Sequence, residues 1–169
     1  RTAEAWVRTT SSYQNVFNWG NNSLPGNRFG VSIVFGVLWI STDDAYYAGP
    51  AVNDNKWHHV ACSYNGTTMA AYVDGAQIFS VPANQPLTTP GTIFRMGNTT
   101  APGNGDFFTG SLDEVRVWNY ARTQAEIQAF MNVSVTNAMS GLVANFPFSE
   151  GTGTTTTNLV TGTPATLLN

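Results

Sequence analysis

Apolar and polar residues alternate one by one near the start of the chain, where Ala3, Ala5 and Val7 oppose Glu4, Trp6 and Arg8. A repeat of two is the mark of a strand with one face buried. The same alternation returns in "NVFNWG", "RFGVSIVFG", "GVLWIST", "KWHHVACSY", "TMAAYVDG", "AQIFSV", "TIFRMG", "DEVRVWN" and "LVANFPFS". That predicts roughly ten short strands cut by Gly, Pro, Asn and Asp. Asn65-Gly66 and Asp74-Gly75 fall between such runs and suit the left-handed conformations of tight hairpins. One stretch changes period. In "TQAEIQAFM", Thr123 and Glu126 have capping-box spacing, and Ile127, Phe130 and Met131 share a helical face. The pattern predicts an all-β fold, an antiparallel β-sandwich of jelly-roll type with one short helix near 123–131.

The last stretch, "EGTGTTTTNLVTGTP", is nearly all Thr and Gly, and its β-branched content favours a strand pair over a loose tail. Charged residues make up only 10% of the chain, against the usual quarter, while hydrophobic residues reach 42%. Polarity comes from Gly, Ser, Thr and Asn, which suits an extracellular β-protein. The net charge is −3 and the 7 basic residues are scattered singly, so there is no stripe to neutralise phosphates and nucleic acid is not a partner. No apolar run approaches the ~18 residues that a membrane span needs. The single cysteine, Cys62, lies in an apolar run and reads as a buried small hydrophobe.

Three longer stretches carry a family resemblance: "AEAWVR", "KWHHVACSYNGTTMAAYVDG" and, most specific, "FTGSLDEVRVWNYARTQAEI". With them, residues 3–131 resemble the laminin-G-like, concanavalin A-like jelly-roll domains, a group that includes the pentraxins. "GLVANFPFSEGTGTTTTN" is similar to the stretch that often opens such a domain, here displaced to follow the helix. It either completes the same sandwich, making 1–169 a single domain, or opens a following repeat. The first is favoured, because Leu142, Ala144, Phe146 and Phe148 need a core.

The fold class includes glucanases, which set alternating carboxylates on one strand to flank the scissile bond. None of the 10 acidic residues forms an acidic-x-acidic pair. Strict alternation places neighbouring Asp113 and Glu114 on opposite faces, with Leu112, Glu114, Arg116 and Trp118 together, so the two carboxylates read as scaffold. His58 and His59 lie on a strand pattern, one buried and hydrogen-bonded and the other exposed, and not in a catalytic groove. The chain reads as a non-catalytic module.

In pentraxin-like relatives, the resemblance implies, calcium is held by two loops at one end of the sandwich. The matching loops are 20–27 and 97–106, where Asn27, Asn98 and Asp106 are the donors to consider. With one carboxylate and no acidic cluster, they leave room for one weak calcium ion at most, and no cofactor is required. Sugar binding needs flat aromatic faces beside planar polar groups. Loop candidates are Trp19, Asp43, Asp44, Tyr46, Tyr47, Phe107 and Phe108, whereas Trp6, Trp57 and Trp118 sit on strand patterns and read as core. The expectation is an extracellular recognition module of a larger secreted or surface protein, adhesive or carbohydrate-binding, whose partner is a glycan or cell-surface ligand. A structural spacer or protein-interaction module beside neighbouring domains is the alternative, and a polysaccharide-degrading enzyme the least favoured.

Overall fold

The computed structural model describes residues 1–20, 28–41, 46–83, 86–88, 94–98, 107–135 and 139–166. Its strands are β1 (Thr2–Arg8), β2 (Tyr13–Gly20), β3 (Arg28–Val34), β4 (Val37–Ser41), β5 (Tyr46–Ala51), β6 (His58–Tyr64), β7 (Thr68–Val73), β8 (Ala76–Pro82), β9 (Phe94–Met96), β10 (Ser111–Trp118), β11 (Leu142–Phe146), β12 (Thr155–Thr157) and β13 (Pro164–Thr166). The single helix among the described residues, α1, spans Gln124–Phe130. A six-stranded sheet has the order β11-β10-β1-β6-β7-β8 and a five-stranded sheet the order β5-β4-β3-β2-β9. Every paired strand in them is antiparallel. This is the β-sandwich that the alternation predicts.

The core follows from the period of two. Ala3, Ala5, Val7, Val60 and Cys62 of one sheet meet Phe17, Phe29, Val31, Ile33, Leu38 and Ile40 of the other in one buried cluster. Cys62 is fully buried, and burial pushes its thiol far above the ordinary value, so it behaves as a hydrophobe.

Turn chemistry sets two hairpins. At Phe35-Gly36 and Asp74-Gly75 both central residues have positive φ (54° and 78°, 51° and 74°), the type I′ geometry that matches strand twist. Asn65-Gly66 does not form the expected tight turn. Tyr64 pairs with Met69, and the Asn65 carboxamide oxygen accepts from the Thr67 and Thr68 amides at 3.0 and 2.8 Å, which closes a longer loop. β5 occupies a stretch read from the sequence as loop. Its Pro50 is tolerated because β5 is a sheet edge.

The helix starts where expected: Thr123 caps the Glu126 amide, and the Glu126 carboxylate accepts from the Thr123 amide at 2.7 Å. Ile127 is buried against Ala61, Ala70 and Tyr72, so α1 covers the outer face of β6 and β7. The C-terminal stretch joins the same sheet, with β11 pairing along β10 from Val115↔Phe146 to Trp118↔Leu142. The Thr-rich stretch forms the antiparallel pair β12–β13.

His58 ties two loops together. Its Nδ1 lies 2.9 Å from Asp74 and its Nε2 3.1 Å from Asp54. Burial opposes the imidazolium, but hydrogen bonds to Asp74 and Asp54 outweigh it, and the pKa is raised above 6.5. The cluster's contribution is therefore complete below pH 6.5 and lost as pH rises through the raised value. The melting temperature is expected to fall by on the order of 1–2 °C between pH 6 and pH 8, a drop that His58→Gln removes. Calorimetric scans across that range check it. A flat wild-type profile would refute the coupling.

Candidate functional site

A bulge in β10 decides what the outer face of the six-stranded sheet offers. Glu4 pairs with Arg116 and Trp6 with Asp113, so Glu114 and Val115 together oppose Ala5. Glu114 takes a positive φ of 49° to make room for the extra residue. The bulge shifts the phase of the strand. Leu112 and Val115 now both pack on the core, and Asp113, Glu114 and Arg116 line one outer cleft. This corrects the reading that put Asp113 and Glu114 on opposite faces and Leu112 beside Glu114, because strict alternation fails across an inserted residue.

The cleft measures about 370 Å³ and lies between β10, Trp6, Trp57 and the segment Met131–Ser134 that follows α1. Arg116 builds its wall. The guanidinium donates to Phe130 O at 2.9 Å and Val133 O at 2.6 Å, holding that segment against the sheet, and pairs with Glu114 at 2.6 Å. Glu114 also accepts from the Ser134 hydroxyl at 2.8 Å. Trp6 is fixed by donation from Nε1 to Met131 O at 2.7 Å. Trp57 is 39% exposed, and the Arg8 guanidinium sits 5.2 Å from its ring centroid. Trp6 and Trp57 are therefore cleft walls and not core, whereas Trp118 is fully buried as expected. The flanking Asn, Asp and Lys in "NDNKW" were the signal that Trp57 belongs to a loop.

The polar groups of this cleft divide into spent and available. Both Glu114 oxygens are engaged, by Arg116 and by Ser134. Asp113 Oδ1 accepts the Glu114 amide at 2.8 Å, and Oδ2 engages no partner among the described residues. Partial burial pushes the Asp113 carboxyl above its ordinary value, with the Glu114 amide pulling the other way. Asn132 is exposed beside it. One free carboxylate, one amide and two indoles can stack and hydrogen-bond a polyol. The carboxylates do not make an acid/base pair, since Glu114 is neutralised where it stands.

His59, next to the cleft, is buried with the edge of its ring against Trp6 at 5.4 Å, and burial lowers its pKa to about 4. Its Nδ1 has no hydrogen-bond partner among the described residues. The hydrogen-bonded histidine is the half-buried His58, so the expected division between the two rings is reversed in part.

The residues expected to form the site are spread out. Trp19 lies on β2, edge-on to Phe94 at 5.9 Å and capped by the Arg1 guanidinium at 5.1 Å. Tyr47 lies on β5, at the opposite edge of that sheet, against Phe79 at 5.5 Å. Both are strand residues and not loop residues, because their alternation continues past the polar stretches beside them. Phe107, Phe108 and Asn98 do converge, with Arg95 and Phe148, around a second cavity of about 460 Å³ at the β9 edge. Asn27, Asp43, Asp44 and Asp106 lie outside the described residues, as does the side chain of Tyr46. The 20–27 and 97–106 loops are thus described only at Gly20, Gly97 and Asn98. Among the described residues no group of three or more His, Cys, Asp or Glu could hold a metal ion. On the outer face of the five-stranded sheet, Asn18 is fully buried, directly opposite Arg95, and neither amide atom has a partner among the described residues.

Comparison with known proteins agrees with this architecture. Mouse (Mus musculus) pappalysin-1 is 33% identical over 82 residues, which is 45% of this chain and 5% of that protein. The rat (Rattus norvegicus) sushi, von Willebrand factor type A, EGF and pentraxin domain-containing protein 1 is 22% identical over 162 residues, 86% of this chain and 4% of that protein. The chain therefore spans only a small part of the curated relatives it matches. Among solved structures, a protein of Bacteroides ovatus described as a candidate carbohydrate binder superposes with a TM-score of 0.77 at 20% identity, covering 98% of this chain and 53% of that one. The Ruminococcus gnavus IT-sialidase module CBM40, solved with α2,3-sialyllactose, gives 0.61 at 18% identity, covering 76% and 80%. These likenesses show the fold. No helix among the described residues is long and apolar enough to cross a membrane. Residues 1–128 match the laminin G model described as the concanavalin A-like lectin/glucanases superfamily, and the chain belongs to that family.

Proposed function

We propose that this chain is a non-catalytic, extracellular carbohydrate-recognition module of a larger protein, and that it seats a saccharide in the Trp6–Trp57 cleft. The observation that carries this is the placing of two indoles beside an unspent carboxylate oxygen in one open cleft. The apolar C–H face of a pyranose stacks on an indole, and its hydroxyls donate to Asp113 and exchange hydrogen bonds with Asn132. The family and the carbohydrate-binding neighbours support the reading. The same reading takes residues 1–169 as one domain, with 141–169 part of its sandwich.

A glycan-array screen of the chain followed by titration tests it. Trp57→Ala is expected to weaken binding about tenfold or more, roughly 1.4 kcal/mol. Because Trp57 is 39% exposed, the same change should move stability by only about 0.5 kcal/mol. Chelation should leave binding at this cleft unchanged, since its donors are side chains and not a metal. Binding lost on chelation would revive a calcium site built from Asn27, Asn98 and Asp106. Binding that survives Trp57→Ala but not Phe107→Ala would move the saccharide to the cavity at the β9 edge. No binding at all would favour a spacer or protein-interaction role.

A further inference from the structure

We infer that the Trp6–Trp57 cleft selects an uncharged pyranoside, neutral or N-acetylated, over sugars that carry a carboxylate, and that Asp113 determines this specificity. The inference rests on the glycan reading above and adds the class of ligand.

The charges in and around the cleft decide the matter. A carboxylate-bearing sugar needs a cation with exposed N–H groups to spare, and Arg116 is withheld by burial. Its Nε and Nη2 bond Glu114 at 3.2 and 2.6 Å, Nη2 also bonds Val133 O and Nη1 bonds Phe130 O, and its side chain is 1% exposed. Lys56, beside Trp57 in sequence, is exposed, pairs with Asp54 at 2.9 Å and does not line the cleft. Arg8 lies over the Trp57 ring and reaches Ser111, and it is not part of the cleft wall. With Glu114 and Arg116 cancelling, Asp113 stands as the uncompensated charge of the cleft. It is half-buried, so a second carboxylate brought beside it meets repulsion that water and salt screen only in part.

Hydrogen-bond supply points the same way. Asp113 Oδ2 accepts from no donor among the described residues, whereas Glu114 already accepts twice from Arg116 and once from Ser134. The missing donors are hydroxyl or N-acetyl N–H groups, which uncharged sugars carry in abundance. A charge-assisted bond from a hydroxyl to a carboxylate is among the stronger neutral-ligand contacts available, and leaving it unmade in a half-buried site is penalised. Discrimination by an unmatched buried polar group exceeds what a change of apolar contact alone supplies.

The test is calorimetric titration of the whole chain, at fixed ionic strength, with matched probes. These are gluco- and galacto-oligosaccharides against their uronate counterparts, and lactose against α2,3-sialyllactose. The neutral member of the pair is expected to bind at least tenfold tighter, Trp57→Ala to weaken both members, and Asp113→Asn to bring their ratio to within about threefold. Asp113→Asn keeps the side-chain shape, and an unchanged melting temperature shows that the fold is intact. An acidic member that binds as tightly as the neutral one, with Trp57 still required, would overturn this inference and leave the glycan reading standing. A ratio unmoved by Asp113→Asn would overturn the role of Asp113. Acidic binding lost in Arg95→Ala and kept in Trp57→Ala would place the ligand on the five-stranded sheet instead, against this inference. Failure of every probe would overturn the glycan reading and this inference with it.

Discussion

Glu4→Ala is expected to destabilise the fold by about 3–5 kcal/mol, the loss that follows when one partner of a buried ion pair is removed. Glu4 is 1% exposed, accepts from Trp118 Nε1 at 3.0 Å and Arg122 Nη1 at 2.9 and 3.1 Å, and has Arg116 Nη1 3.8 Å away as a second ion-pair partner. Without it, two guanidiniums stay buried with Glu114 as the remaining carboxylate, and the Trp118 N–H loses its acceptor. Arg122 cannot swing out to water, because Nη2 is bonded to Glu126 O at 2.6 Å and its plane lies 4.1 Å over the Trp118 ring. The damage spreads to the candidate site. Arg116 positions the 130–133 backbone that walls the cleft, so loosening it loosens the cleft. Against the roughly 5–15 kcal/mol of a typical domain, such a loss removes a fifth or more of the stability. Urea denaturation of Glu4→Ala checks it, with Glu4→Gln, which keeps an acceptor for Trp118 and the shape of the side chain, falling between the variant and the wild type. A change below about 1 kcal/mol would mean that water or side-chain rearrangement compensates the two arginines.

The sandwich was legible because its physics is local and repetitive. Ala3, Ala5 and Val7, or Phe29, Val31 and Ile33, announce a buried face by spacing alone, and Thr123 with Glu126 announces the helix start. The candidate site was less legible because it depends on a departure from that repetition. Apolar spacing runs Leu112, Val115, Val117, a step of three residues and then of two, and the odd step is the trace of the bulge in the sequence. Read with strict alternation, the same residues put Asp113 on the wrong side. Tryptophan composition misled in a related way. Trp6 alternates correctly onto the outer face, but that face is an open cleft at Trp6 and is covered by α1 further along the sheet, a difference that only tertiary packing makes. Trp19 and Tyr47 show the converse, since residues next to polar loops can still continue a strand and pack against the core.

Deleting residues 136–169 is expected to abolish cooperative unfolding or to cost most of the fold's stability. The segment's β11 completes the edge of the six-stranded sheet, and its removal strips β10 of the partners of Val115, Arg116, Val117 and Trp118. Phe146 belongs to the main core and Leu142 to the cluster around Trp118 and Val135, while Phe148 and Ala165 pack against the main core from outside. Each large apolar side chain withdrawn forfeits about 1.5–3 kcal/mol of burial, so the loss of Leu142, Phe146 and Phe148 alone approaches the whole stability of a domain this size. Polar groups suffer too. Asn145, buried, donates its side-chain amide to Val135 O and its backbone amide to Asn158 Oδ1 at 3.0 Å, and the Leu159 amide returns a bond to Asn145 O at 2.9 Å. These bonds lock the β12–β13 connection onto β11 at the sheet edge. Denaturant unfolding of the truncated chain, with near-ultraviolet circular dichroism to report on Trp118, tests the prediction. A truncated chain that unfolds as sharply as the full one would show that 1–135 is a complete domain and that 141–169 is an appendage or the opening of a following repeat. Loss of the transition would make β11, like β1, part of one sandwich, and would make the wall of the candidate cleft on β10 depend on both of them.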